Sequence, residues 1–338
     1  MTDIDFVVTW VDGGDTEWQK ERLSYKNDGA ARTEQEGSAD DGENRYRDWG
    51  LLKYWFRAIE KNAPWVRKIH FVTWGHLPDF LDADAPKLNI VKHSDYIPKE
   101  YLPTFSSHPI ELHMHRIEGL SEQFVYFNDD TFVNAAVKPT DFFKKGKPCY
   151  EAVEACIAAD DINEVYPHIM LNNMCLINNR FNKRSVIKKH PLKWFNPKYG
   201  SGLIRNMCLA PWGYFQNIMN RHLPVPLLKA TMEKVWEQEY DALHKTSLNR
   251  FRSAADINQF LFRYFDILEG NFVPKKQNGL AYHIVNTDTA VIEKDILKGR
   301  HKLICVNDTP QLDDVETAEK NIQRAFEMRY PEKSSFEK

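Results

Sequence analysis

Little in this sequence would direct it to a nucleic acid, a zinc framework or a bilayer. Lys and Arg total 45 against 48 Asp and Glu over 338 residues, a net charge of −3, whereas nucleic-acid binders carry a basic excess or stripe. The five cysteines, Cys149, Cys156, Cys175, Cys208 and Cys305, include no CxxC and no Cys/His zinc spacing. Their odd count reads as buried free thiols in a reducing compartment. No apolar run is long enough to span a bilayer. The opening Met1-Thr2-Asp3-Ile4-Asp5 lacks the basic and apolar stretches of a signal peptide. We therefore expect a cytoplasmic protein, a placement that leaves room for peripheral association with the inner membrane face. Internal repeats, low-complexity tracts and Gly/Ser-rich linkers are missing as well. Aromatic residues are plentiful, with twenty Phe and nine Trp, enough for a large core and for surfaces on which sugar or base rings stack.

The order of patterns argues for an α/β layer with a mainly parallel sheet. Ile4 to Trp10 reads as a strand closed by Asp12-Gly13-Gly14-Asp15, a turn that is either ordinary or a place where backbone approaches a phosphate. Residues 26–44 are polar and aperiodic, a loop or lid. Asp48 is placed to cap a helix whose apolar face is Leu51, Leu52, Trp55, Phe56 and Ile59. Strands follow at Lys68–Trp74 and Leu88–Lys92, then a helix over 108–118. That helix gathers His108, Glu111, His113 and His115, but their spacing is not the HExxH of a zinc enzyme. After residue 150 helical patterns dominate, including Leu227–Leu243 and Ala255–Leu268. We expect an α/β core over 1–150, a mostly helical lobe over 151–270 and a return to the core over 271–338.

Two strand patterns end alike. Phe124-Val125-Tyr126-Phe127 runs into Asn128-Asp129-Asp130, and Lys302-Leu303-Ile304-Cys305-Val306 runs into Asn307-Asp308. Adjacent carboxylates repel and are costly to desolvate. A hard divalent cation removes both costs and leaves coordination positions for phosphate oxygens. The competing reading is that these acids simply form turns.

Four separated segments resemble the Stealth family of sugar-phosphate transferases, which includes bacterial capsular-polysaccharide hexose-1-phosphate transferases and the animal GlcNAc-1-phosphotransferase. They are Ile4–Gly13; Arg45 through Ile110-Glu111-Leu112-His113-Met114-His115-Arg116 to Asp130; Arg221-His222 followed by Lys245–Asp256; and Lys302–Asp308. The resemblance implies a GT-A-like core in a bacterial cytoplasmic enzyme, with a UDP-sugar donor such as UDP-GlcNAc, a glycan acceptor and Mg²⁺ or Mn²⁺. Sugar-1-phosphate would be transferred and UMP released. It also implies that Glu111, Asp130, His222 and Arg252 are catalytic. On the chemistry of the residues themselves, Asp130 with Asp129 or Asp308 would hold the metal, and Thr9, Trp10 and Asp12 would line the nucleotide end, with Arg45 and Asp48 close by. His222 and Glu111 both stay open as the base, and Arg252 is either a phosphate ligand or the helix partner of Asp256. Two rival functions are a glycosyltransferase that releases UDP and a catalytically silent nucleotide-sugar or polysaccharide-binding protein.

Overall fold

The computed structural model describes residues 3–27, 46–159, 164–309, 311, 312 and 314–338. Its strands are β1 (Ile4–Thr9), β2 (Ile69–Thr73), β3 (Leu88–Lys92), β4 (Gln123–Phe127), β5 (Thr131–Val133), β6 (Phe143–Lys144), β7 (Lys147–Tyr150), β8 (Val225–Leu228), β9 (Val273–Pro274), β10 (Gly279–Ile284) and β11 (Leu303–Asp308). The main sheet runs β3-β2-β1-β4-β8. Its first four strands are parallel, with Val8 beside Phe71 on one flank and Phe127 on the other. Only β8 is antiparallel, with Val225 opposite Tyr126. The α/β class with a mainly parallel sheet is therefore as the pattern predicts.

Strand alternation builds two cores. Phe6 and Val8 of β1, Phe71 of β2, and Val125 and Phe127 of β4 face one side, together with the helix Leu52–Asn62 and the C-terminal helix Val315–Arg329. Val7, Val72, Phe124 and Tyr126 face the other, against helices of the second half such as Lys229–Gln238 and Phe260–Glu269. Both faces are covered, which is why these strands read as unbroken apolar runs.

A second sheet, β10-β11-β5, stands beside the first. Strands β4 and β5 belong to different sheets, and only Asn128-Asp129-Asp130 separates them. Strand β11 runs antiparallel to β5, and the Val306 N–H donates to the Asp130 carbonyl at 2.8 Å. The two Asn-Asp strand ends therefore converge where the sheets meet.

Several local expectations are corrected. The helix expected over 108–118 ends at Leu112 and yields to a 3-10 turn, Met114–Arg116. Trp236 Nε1 donates to the Leu112 carbonyl at 2.8 Å, and Arg116 N bonds instead to His113 O. Leu227 and Leu228 belong to β8, so the helix there begins at Lys229, and the one expected from Ala255 begins at Phe260. Asp48 does not cap its helix. It accepts the Gly50 N–H at 2.8 Å in the turn before it, while the N-cap position is Leu51. A helix over Thr16–Asn27 was not foreseen, and the loop expected over 26–44 falls almost wholly outside the described residues. All five cysteines are free, but only Cys149 and Cys305 are buried.

Candidate active site

A cavity of about 250 Å³ opens at the C-terminal edge of the main sheet, where open α/β sheets hold ligands. Thr9 and Trp10 reach it from the end of β1, Asn128, Asp129 and Asp130 from the end of β4, and Asn307 and Asp308 from the end of β11. His222 and Arg252 complete the wall from the second half of the chain. Trp18, Tyr46, Trp49 and Phe105 add an aromatic side. Of the residues expected at the site, Thr9, Trp10, Asp48, Asp129, Asp130, His222, Arg252 and Asp308 line this cavity. Arg45 lies outside the described residues. Glu111 and Asp12 do not line it.

Asp130 Oδ2 accepts the Cys305 thiol proton at 3.2 Å and lies 3.5 Å from His222 Nε2. Donor atoms of Asp130, His222 and Cys305 all fall within 4.8 Å of one another. Burial, then the charge of Asp130, push the Cys305 thiol well above its ordinary range. It is a neutral hydrogen-bond donor and a poor partner for a hard cation. The oxygens that fit such a cation are elsewhere. Asp130 Oδ1 and Asp308 Oδ1 are both buried with no hydrogen-bond partner among the described residues, a costly state unless something binds there. The other oxygen of Asp308 takes Arg47 Nη1 at 2.5 Å and Trp49 Nε1 at 3.3 Å.

Asp129 and Asp48 sit in the concave wall, crowded by protein yet open to the cavity. That crowding, then the charges of Asp130 and Asp48, push the Asp129 carboxyl up to about 8. The Asp48 carboxyl is raised too, by burial and then, more weakly, by Asp12. Mutual repulsion of this kind is relieved by a cation.

His222 adopts φ +47°, a left-handed backbone uncommon outside glycine. Such conformations persist where surroundings over-determine them, and they cluster at functional sites. The Arg252 loop is held from below by Asp256. This fully buried carboxylate accepts Asn249 Nδ2 at 2.7 Å, Ser253 N at 2.9 Å and His108 Nδ1 at 2.8 Å. The expected alternative, a helix pair between Arg252 and Asp256, is thereby replaced. Arg252 Nη2 donates instead to Ser107 Oγ at 3.1 Å.

Glu111 lies behind the wall. It accepts the Tyr126 hydroxyl proton at 3.1 Å, and the Thr9 hydroxyl is 3.2 Å from the same Tyr oxygen. The single phenolic proton is committed to Glu111, so Thr9 donates. Burial raises the Glu111 carboxyl, opposed by His108, Tyr126 and Arg252. Asp12 turns back to Gly14 N at 2.8 Å, and its own N–H donates to His76 Nε2 at 2.8 Å. Gly13 serves a close approach, though not to a ligand. A Cβ there would stand 1.9 Å from the Tyr46 carbonyl oxygen. The remaining histidines disperse: His113 stacks with Tyr101 and bonds Ser247, while His115 packs near Trp236.

Arg47, Trp49, Ser107 and Cys305 were missed by sequence reasoning. Arg47 lies inside the Arg-Tyr-Arg-Asp run and Cys305 inside the Asn-Asp strand, so both signals were present without a partner to interpret them.

Three conserved-region descriptions match the chain: Stealth protein CR1 over residues 2–30, CR2 over 45–150 and CR4 over 294–338. A capsular polysaccharide phosphotransferase WcwK of Streptococcus pneumoniae is 42% identical over 100% of this chain and 99% of its own length. An exopolysaccharide phosphotransferase cps2G of Lactiplantibacillus plantarum is 40% identical over 99% and 96%. The chain belongs to the Stealth family. Its matched regions contain Thr9, Asp48, Asp129, Asp130, Cys305 and Asp308, whereas His222 and Arg252 fall between them. A solved galactosyltransferase LgtC aligns over 96% of this chain and 95% of its own, at 10% identity and a TM-score of 0.36. Among the described residues no helix is long and apolar enough to cross a membrane.

Proposed function

We propose that this Stealth chain transfers a sugar-1-phosphate from a UDP-sugar, UDP-GlcNAc or a similar hexose donor, to a glycan hydroxyl in capsular or surface polysaccharide synthesis, releasing UMP. Full-length relatives named polysaccharide phosphotransferases support the class. The observation that carries the reading is the meeting of Asp130, His222 and Arg252 on one cavity wall. A base, a guanidinium and a carboxylate edge are what attack on phosphorus requires.

His222 Nε2, in the tautomer protonated at Nδ1, takes the proton of the acceptor hydroxyl. The acceptor oxygen forms its bond to the sugar-linked phosphorus, and the bond from that phosphorus to the bridging oxygen breaks, its electron pair leaving with UMP. The imidazolium that forms stands 3.5 Å from Asp130, whose charge stabilises it. Arg252 presents its fork to the phosphoryl oxygens, held by Ser107. Thr9, Trp10 and Asp48, with the aromatic side, receive the nucleotide. Glu111 acts as a positioning residue through Tyr126 and Thr9. Mg²⁺ or Mn²⁺ would be held by Asp130 and Asp308 with Asp129 beside them, neutralising diphosphate charge.

The test is to incubate the protein with UDP-sugars, a glycan acceptor and Mg²⁺ or Mn²⁺, and to identify the nucleotide produced. UMP is expected. UDP as the sole nucleotide product would mean that the sugar–oxygen bond breaks instead, and the reading fails.

A further inference from the structure

From Val165 to Met232 the chain carries ten Lys and Arg and no Asp or Glu, although its net charge is −3. Some of these cations serve the fold. Lys183 pairs with Glu154, Arg180 with Glu239 and Arg221 with Glu151, and Lys193 donates to the carbonyls of Gly270 and Phe272. Arg184, Lys188, Lys189, Lys198 and Arg205 form no ion pair among the described residues, and all are exposed.

The same stretch exposes large apolar side chains. Leu192, Ile204, Met207, Trp212 and Tyr214 are each between 54% and 81% exposed. They are held in place rather than loose. The helix Ser201–Leu209 buries Gly202 and Asn206, four apart on one face. Asn206 Nδ2 donates to the Ala152 and Trp194 carbonyls at 2.7 Å, and its oxygen accepts Glu154 N at 2.7 Å. Helical spacing then turns Ile204 and Met207 outward. The following turn, which carries Trp212, is tied by Lys183 Nζ to the carbonyls of Leu209 at 2.8 Å and Tyr214 at 3.4 Å.

We infer that the exposed surface of this stretch docks on an anionic lipid bilayer. Uncompensated cations attract acidic headgroups, and aliphatic and indole side chains enter the headgroup boundary, the two contributions that hold interfacial proteins on membranes. A second copy of this chain is disfavoured as occupant, because pairing the face with itself would bring five unpaired cations against five more. A soluble polyanion is disfavoured because it gives Ile204, Met207 and Leu192 nothing to bury against. The inference does not depend on the reaction proposed above.

The test is flotation of the full chain with vesicles of phosphatidylcholine alone or mixed equally with phosphatidylglycerol. Binding to the mixed vesicles is expected, weak on phosphatidylcholine and reduced at about 1 M salt. A cation near an anionic surface contributes about fivefold, so K188E/K189E/R205E loses on the order of 100-fold. I204S/M207S/W212S weakens the binding that survives salt. Both variants should keep the wild-type melting temperature and nucleotide release. The inference is overturned by no binding to mixed vesicles, by equal binding to both kinds, or by full binding of both variants. It is also overturned if light scattering finds a dimer that I204S/M207S/W212S converts to a monomer while vesicles bind nothing.

Discussion

The two ends of the main sheet treat the same side chain in opposite ways. At the N-terminal end of β1, Asp5 is fully buried and completely served. It accepts Arg67 Nε at 2.8 Å, Ser121 N at 2.8 Å, Lys68 N at 3.2 Å and His70 Nε2 at 3.1 Å. Burial pushes its carboxyl up, but His70, Arg67 and Ser121 outweigh it and hold the group down at about 2. At the C-terminal end, where β11 of the second sheet meets it, Asp130 and Asp308 each keep a buried oxygen without a partner among the described residues, and Asp129 is pushed up to about 8. Asp5 is an acid the fold uses. The others are acids the fold tolerates, which is the signature of a place kept for something else.

The strongest way to break this contrast is D130N. It should lower turnover on the order of a thousandfold with a melting temperature close to wild type. Retained turnover would remove Asp130 from the chemistry. Next comes a charge built into the fold. Arg57 gives Glu337 two bonds at 2.8 Å and also reaches the Tyr330 carbonyl at 2.9 Å. R57A should cost about 3–5 kcal/mol in urea unfolding, because it leaves the buried Glu337 carboxylate without its cation and with only Ser334 N and Oγ as partners. A loss near zero would place that pair with surface ion pairs. Smaller again is the acid dependence of Asp5. Its folded carboxyl titrates below its unfolded one, so its stabilisation is complete above about pH 4 and is lost as pH falls toward 2, about 2 kcal/mol in all. Unfolding measured across that window should flatten in D5N. The smallest effect is D129N, a slight rise in melting temperature without added cation, since the amide carries neither a repelling charge nor the cost of protonating a carboxyl that is pushed up to about 8. A fall would contradict the crowding assigned to that edge.

Much of this was legible in the chain. The apolar run Phe124–Phe127 and its twin before Asn307 announced buried strands ending in acids, and both ends reach the cavity. The helix face Leu52, Trp55, Phe56 and Ile59 is buried as its spacing requires. What stayed hidden was decided by distant partners. Nothing near Leu112 says that Trp236 will take its carbonyl and end the helix. Val225-Pro226-Leu227-Leu228 merges with the helical pattern after it. Only pairing with β4 makes it a strand, at an edge where proline is tolerated. Glu111 and Asp12 do not line the cavity and bond Tyr126 and Gly14, which spacing cannot reveal.

The pairing of β8 with β4 has a practical consequence. Segment 225–228 belongs by position to the second half of the chain, yet it covers the outer edge of the strand that carries Asn128-Asp129-Asp130. A fragment stopping near residue 150 would leave the backbone groups of β4 open as a template for other chains. Dissection at that point should therefore produce aggregates in place of a nucleotide-binding half, and tags or fusions belong elsewhere.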